Sequence, residues 1–400
     1  MIKQATYRSN SRKATVTVEH IDTWVSTTEH VVNFPRVVEL EGDRLLLRYS
    51  RGHHGGEIGP TALVSDDLGA TWHEPPPDLD IVDLDSGLFR PRSGGGSIGY
   101  MRDSTITYIN LLTEASKEWR GTRLDGGPHP IKFRETDPTF RLRRFTKSGT
   151  LIEEHPFKLA GIPFPEASYQ TYGRILELDG GDWLASFCAD KKPPSETSEV
   201  TPSGRPRYDF RFGNLIVRSS DAGATWRVMT FIDPDELNPR YALDDRDVEE
   251  GLDESCLAQL ANGDIYLIMR SGSHSPMYAC RSHDGGETWS NLEPVGWPAA
   301  RPDLQLLPNG VLACASGRGF YGHPQITHVM FSLDGTGYHW EYPFAFHTGP
   351  GCSYTQTMQR DGKLHVIYSD SDFTQELGFH SLPEQTIKRA VIDVTIDTIS

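Results

Sequence analysis

The chain has 400 residues and a formal net charge of −16 at pH 7, a balance that argues against nucleic acid or an anionic membrane surface as its partner. No apolar run approaches the length of about 20 residues that spans a bilayer, and residues 1–20 lack the apolar core of a secretion signal, which favours a cytoplasmic location unless an export signal has been removed. Five cysteines, Cys188, Cys256, Cys280, Cys314 and Cys352, are scattered and odd in number, which fits neither a disulfide framework nor a metal cluster, and no metal or other cofactor is expected.

In chain order the apolar runs are short and punctuated by turns, with no stretch of helical period. Ala14-Thr15-Val16-Thr17-Val18 alternates as a strand does. The run 44–47 follows Glu41-Gly42-Asp43, and 61–64 leads into Ser65-Asp66-Asp67-Leu68-Gly69-Ala70-Thr71-Trp72. Residues 88–157 carry strand signals, with 145–150 as a remnant of that motif. The run 183–187 follows a Gly-rich turn, 191–207 is a polar, Pro-rich insertion read as an exposed loop, and 215–217 leads into a second copy, Ser219, Asp221, Gly223, Thr225 and Trp226. The run 265–269 follows Asn262-Gly263-Asp264 and precedes a third copy, Ser282, Asp284, Gly286, Thr288 and Trp289. The run 326–331 enters a worn fourth copy, Ser332, Asp334, Gly337 and Trp340, with one residue inserted and the Thr lost. Strand signals at 363–368 and 390–396 finish the chain.

A motif repeated this way marks one small structural unit laid down several times, so the motif is scaffold and function lies between its copies. The Asp carboxylate suits a tight hairpin, accepting from nearby N–H groups, while the Gly takes a positive φ and the Trp carries apolar surface into the next strand. These repeats resemble the Asp-boxes, or BNR repeats, of the sialidase superfamily. The resemblance, with two hairpin signals per unit, implies one all-β domain over 1–400, a six-bladed β-propeller. Pairing of 14–18 with 390–396 would close its ring and remove an open edge.

A propeller site gathers single polar residues from separate blades. Gly251-Leu252-Asp253-Glu254-Ser255, followed by strand 265–269 and Arg270, resembles the sialidase segment in which a Glu partners a tyrosine nucleophile and an Arg grips the substrate carboxylate. Gly351-Cys352-Ser353-Tyr354-Thr355 resembles the segment carrying that tyrosine, one residue out in its spacing to Asp361-Gly362. A phenol with a pKa of about 10 is a poor nucleophile near neutrality unless a base takes its proton. Tyr354 and Glu254 would be that pair, and tyrosine nucleophiles are an exception among glycosidases. In Asn33-Phe34-Pro35-Arg36 the family has Arg-Ile-Pro, so Arg36 falls after the Pro instead of before it. The loop 51–57 is where the family places its acid; Glu57 falls nearest that place, and His53 and His54 are rivals as proton donors. For the third arginine of the family's triad the candidates are Arg318 and Arg301, with His323 close to the same position. Tyr172 and Arg174 could contact the sugar. The resemblance thus implies a retaining exo-glycoside hydrolase acting on a terminal acidic sugar of a carbohydrate substrate. Two alternatives stay open: a propeller lyase acting on a uronate with a His or Tyr base, and a glycan-binding propeller without catalysis.

Overall fold

The computed structural model describes residues 3–9, 12–51, 59–83, 88–89, 98–102, 108–110, 132–134, 139–163, 169–170, 175–190, 212–233, 251–272, 275–318, 325–349, 352–371 and 384–398. These form strands almost throughout, with one short 3-10 turn of helix at Asp80–Asp83, so the all-β expectation holds.

The strands fall into groups of sequence neighbours, each paired antiparallel. Val32–Glu39, Leu45–Arg51 and Gly59–Ser65 form the first group. Leu88–Phe89, Ile98–Arg102, Thr139–Phe145 and Leu151–Ala160 form the second, and Tyr108–Asn110 pairs separately with Lys132–Arg134, outside these groups. The third comprises Tyr169–Gln170, Leu176–Glu177, Trp183–Asp190, Phe212–Ser219 and Trp226–Ile232, and a short parallel contact of Leu159 with Trp226 stitches it to the second. Asp253–Gln259, Ile265–Arg270, Pro276–Ser282 and Glu293–Pro298 form the fourth. Ala300–Leu306, Leu312–Gly317, Gln325–Ser332 and Phe344–Gly349 form the fifth. The sixth takes Cys352–Arg360, Lys363–Asp370 and Gln385–Thr398 from the end of the chain and Arg12–Thr27 from its beginning. In that last ladder Ala14 pairs with Ile396, Val16 with Val394 and Val18 with Ile392, as the alternating pattern of both segments anticipates.

Apolar clusters join successive groups. Leu46 and Val64 meet Phe145, and Phe157 meets Trp183 and Leu215. Leu184 and Ile216 meet Leu267, Ile268 meets Cys314 and Met330, and Phe331 meets Val366 and Ile392. A further cluster packs Val32 and Leu47 of the first group against Ile367, Ile387 and Trp24 of the sixth. A strand between two such layers buries both faces, which is why Ile265–Arg270 is buried at every position and reads as a continuous apolar run. Each large aliphatic or aromatic side chain buried this way contributes roughly 1.5–3 kcal/mol.

The repeated motif closes a hairpin in four places with the same bonds. Ser65 Oγ donates to Asp67 Oδ1 at 2.8 Å and accepts from the Gly69 N–H at 2.7 Å, while Asp67 accepts from the Thr71 N–H at 2.8 Å and the Thr71 hydroxyl at 2.7 Å. The copies at Asp221 and Asp284 repeat this. Bonds from Thr71 and Thr288 hold the Asp67 and Asp284 carboxyls down at about 2, so these acids are spent on their turns. The worn copy has not lost its threonine function: Thr336, inside the insertion, donates both N–H and hydroxyl to Asp334. Main-chain bonding of Leu68 to Asp43 places these turns at the end of the strands that carries the Asp/Asn-Gly turns, away from where Asp253–Gln259 begins.

Gly69 has φ +89°, and a Cβ there would lie 2.7 Å from the Trp24 ring. Gly69→Ala is expected to cost about 2–4 kcal/mol, combining left-handed backbone strain with overpacking. Gly42→Ala, at φ +71° with nothing within 4 Å, carries the backbone term alone. Urea midpoints of the two variants check this, and equal losses would remove the steric argument.

Candidate functional site

Four inner strands carry the same irregularity. Between Asn33 and Arg36 the chain advances three residues while its partner advances two, from Ser50 to Arg48. The same extra residue appears between Asp253 and Cys256, between Ala300 and Asp303, and between Cys352 and Thr355. A bulge of this kind bends the strand and re-aims side chains. The bulged residues are Phe34-Pro35, Glu254-Ser255, Arg301-Pro302 and Ser353-Tyr354. Phe34, Glu254 and Arg301 stand at φ +56°, +40° and +45°, a left-handed conformation uncommon for residues with a Cβ and one that clusters at functional positions.

The bulges bring the sixth, fourth, fifth and first groups together at one point. The Tyr354 hydroxyl donates a short hydrogen bond to Glu254 Oε1. Glu254 Oε2 accepts from the Arg301 main-chain N–H at 2.9 Å and lies 3.4 Å from Arg270 Nη1. Arg270 also holds Asp253 Oδ2 at 3.2 Å, and its Nε donates to the Gly272 carbonyl at 3.0 Å. The Phe34 ring meets the Tyr354 ring edge-on, centroids 4.4 Å apart. Tyr354, Glu254, Arg270, Asp253 and Arg301 are all buried. A buried carboxylate is tolerated only with such partners, and Glu254 has three.

Burial pushes the Tyr354 hydroxyl well above its ordinary pKa, the Glu254 carboxylate pushes it further, and the Arg270 and Arg318 charges pull it back. The phenol is therefore neutral at rest, and its proton already points at a carboxylate oxygen. Burial lowers Arg301 to about 10, against the opposing pull of Asp303 and Tyr354. Asp303 Oδ2 accepts from the Thr357 hydroxyl at 2.7 Å, and Gln356 bonds both main-chain groups of Val37, at 2.8 and 2.9 Å. These side chains lock neighbouring inner strands in register around the tyrosine.

Of the residues singled out from sequence, Glu254, Arg270 and Tyr354 converge, and the Arg318 charge reaches Tyr354 from the end of Leu312–Gly317 at φ +81°. Arg36 lies past its bulge, paired in register with Arg48, and no hydrogen bond or ion pair among the described residues joins it to Tyr354 or Glu254. Glu57, His53, His54, His323, Tyr172, Arg174 and the loop 191–207 lie outside the described residues. Among the described residues no group of three His, Cys, Asp or Glu could hold a metal ion. Sequence reasoning missed the main-chain donor of Arg301 and the bulges, although a signal existed: Glu254, Arg301 and Ser353 each stand nine residues before a turn glycine, Gly263, Gly310 and Gly362.

Residues 194–366 match the family described as the BNR repeat-like domain. That match spans less than half of the chain, and the whole has the fold of the sialidases. A protein of unknown function from Dyadobacter fermentans is 16% identical, with 95% of this chain and 99% of that one covered at a TM-score of 0.65. The NanB sialidase from Streptococcus pneumoniae is 13% identical, with 94% and 70% covered at 0.55. The Trypanosoma rangeli sialidase, solved with the inhibitor DANA, is 11% identical, with 90% and 55% covered at 0.51, so this chain spans little more than half of that protein. No curated protein matches in sequence. At these identities the likeness is one of fold, and it leaves the reaction to be argued from the site.

Proposed function

We propose that this BNR-repeat protein is a retaining exo-glycoside hydrolase of sialidase type that removes a terminal acidic sugar from a glycan. The observation that carries the reading is the Tyr354–Glu254 hydrogen bond, made by two residues a hundred positions apart and both buried. In the first step the Tyr354 oxygen bonds to the anomeric carbon as its proton passes to Glu254, and the bond from that carbon to the aglycone oxygen breaks. An acid on the opposite side of the sugar protonates the departing oxygen, and Glu57 is assigned that role by its place in the 51–57 loop. In the second step water attacks the anomeric carbon as the Glu57 carboxylate takes its proton, the bond to tyrosine breaks, and the proton returns from Glu254 to the phenolate oxygen. Arg270 and Arg318 lie beside the tyrosine and would bind the sugar's carboxylate. A neutral phenol suits this task, because a carboxylate nucleophile would be repelled by an anionic sugar.

The same reading takes the six strand groups as six blades of a single propeller, a count supported by the apolar clusters that run between successive groups and return from the sixth to the first.

The test is a panel of 4-methylumbelliferyl glycosides of N-acetylneuraminic acid, other 2-keto-3-deoxy sugar acids, glucuronic acid and neutral hexoses, with the product anomer followed by proton NMR. Hydrolysis confined to acidic glycosides with retained anomeric configuration is expected. Arg270→Met should raise KM at least about tenfold by removing a charge-assisted contact. An inverted product, or an unsaturated product absorbing in the ultraviolet, would rule the mechanism out.

A further inference from the structure

Asn33 stands one residue before the Phe34 bulge, in the inner strand of the first group. It is fully buried, at 0% exposure, and among the described residues neither its Nδ2 nor its Oδ1 has a hydrogen-bond partner. A buried donor and acceptor left unpaired forfeit their hydration without return, and folded proteins keep few such groups. One kept in an inner strand calls for a reason.

Its placement supplies one. Asn33 is the last residue paired before its bulge, opposite Ser50, as Asp253 is the last before its own, opposite Arg270. The Asp253 carboxylate reaches Arg270, which in turn touches Glu254. The residue after Asn33 lays its ring against Tyr354. Asn33 thus belongs to the part of the first group that borders the reacting tyrosine. Aligned on Pro35, it also stands where the resemblance implies an arginine. An arginine offers donors alone, whereas an amide offers two donors and an acceptor oxygen.

We propose that Asn33 is a specificity-determining residue whose amide hydrogen-bonds a neutral substituent of the bound sugar, a hydroxyl or an acetamido group that donates and accepts at once. The inference rests on the glycosidase reading above. Because the amide is enclosed at rest, the contact forms as the entering sugar shifts the side chains covering it, a common adjustment on binding. The unpaired amide of the free protein is then a stability loss retained for recognition.

Asn33→Leu keeps the size and removes both polar ends. Its thermal midpoint should rise by about 1–3 °C, since an orphaned polar group is gone. Its KM for the acidic 4-methylumbelliferyl glycoside that the wild type cleaves should rise about 10- to 100-fold, with kcat within about threefold. Against a series of monodeoxy glycosides the variant-to-wild-type KM ratio should fall to about one for the glycoside lacking the contacted group. Asn33→Ser, which keeps one donor and acceptor on a shorter arm, should show a smaller KM rise and serves if the leucine variant does not fold. A lowered midpoint with unchanged KM would make the amide structural and overturn the inference while leaving the hydrolase reading intact. A wild type that cleaves none of the glycosides would sink that reading and this inference with it.

Discussion

Tyr354→Phe is expected to lower kcat/KM for an acidic aryl glycoside by at least about 10³-fold while the thermal midpoint stays within about 2 °C of wild type. The substitution removes one oxygen atom. The ring keeps its edge-on contact with Phe34 at 4.4 Å. Glu254 keeps the Arg301 N–H and the Arg270 guanidinium, so no buried carboxylate is stranded. What disappears is the only atom in the reading that can bond to the anomeric carbon. The positioning and charge of the arginines remain, and they set the residual rate. Intact-mass analysis during turnover offers a second measure: a glycosyl adduct should appear on the wild type and be absent from the variant. Full activity in Tyr354→Phe would transfer the chemistry elsewhere in the chain.

The parts legible in the sequence are those governed by local physics. The Ser-Asp-Gly-Thr bonds close within eight residues, so each hairpin announces itself, and Ala14–Val18 declares its strand by strict alternation. Glu254 and Arg270 were legible through the family resemblance, on a hairpin whose register pairs Arg270 with Asp253. Tyr354 was legible only through the family resemblance, since its partner lies a hundred residues away. The residues that escaped depend on the bulges. A single inserted residue flips every later side chain to the other face of a strand. For that reason Arg36 could not be placed by counting, and the main-chain donor of Arg301 showed only in its spacing of nine residues to Gly310. The worn fourth repeat shows the opposite error: Thr336 holds Asp334 from a position that a fixed spacing does not inspect.

Glu254→Gln is the sharper test of how the tyrosine is activated. Glutamine fills the same space, and its carbonyl can still accept from the Arg301 N–H, while Arg270 keeps Asp253 at 3.2 Å. The amide, however, has no affinity for a proton near neutrality. Its NH₂ group donates where the carboxylate accepted, turning the Tyr354 hydrogen bond around. The phenol, already held above its ordinary pKa by burial, then has no group to receive its proton. Loss of a positioned general base costs about 10²–10⁴-fold, and kcat should fall by that factor with KM changed little. Because base and nucleophile act in one step, their losses should not add: the double variant Glu254→Gln/Tyr354→Phe should be no slower than Tyr354→Phe alone. Multiplicative losses in the double variant would mean that Glu254 acts on the sugar independently of the tyrosine, as a charge beside the reacting carbon, and the hydrogen bond between them would then be structural.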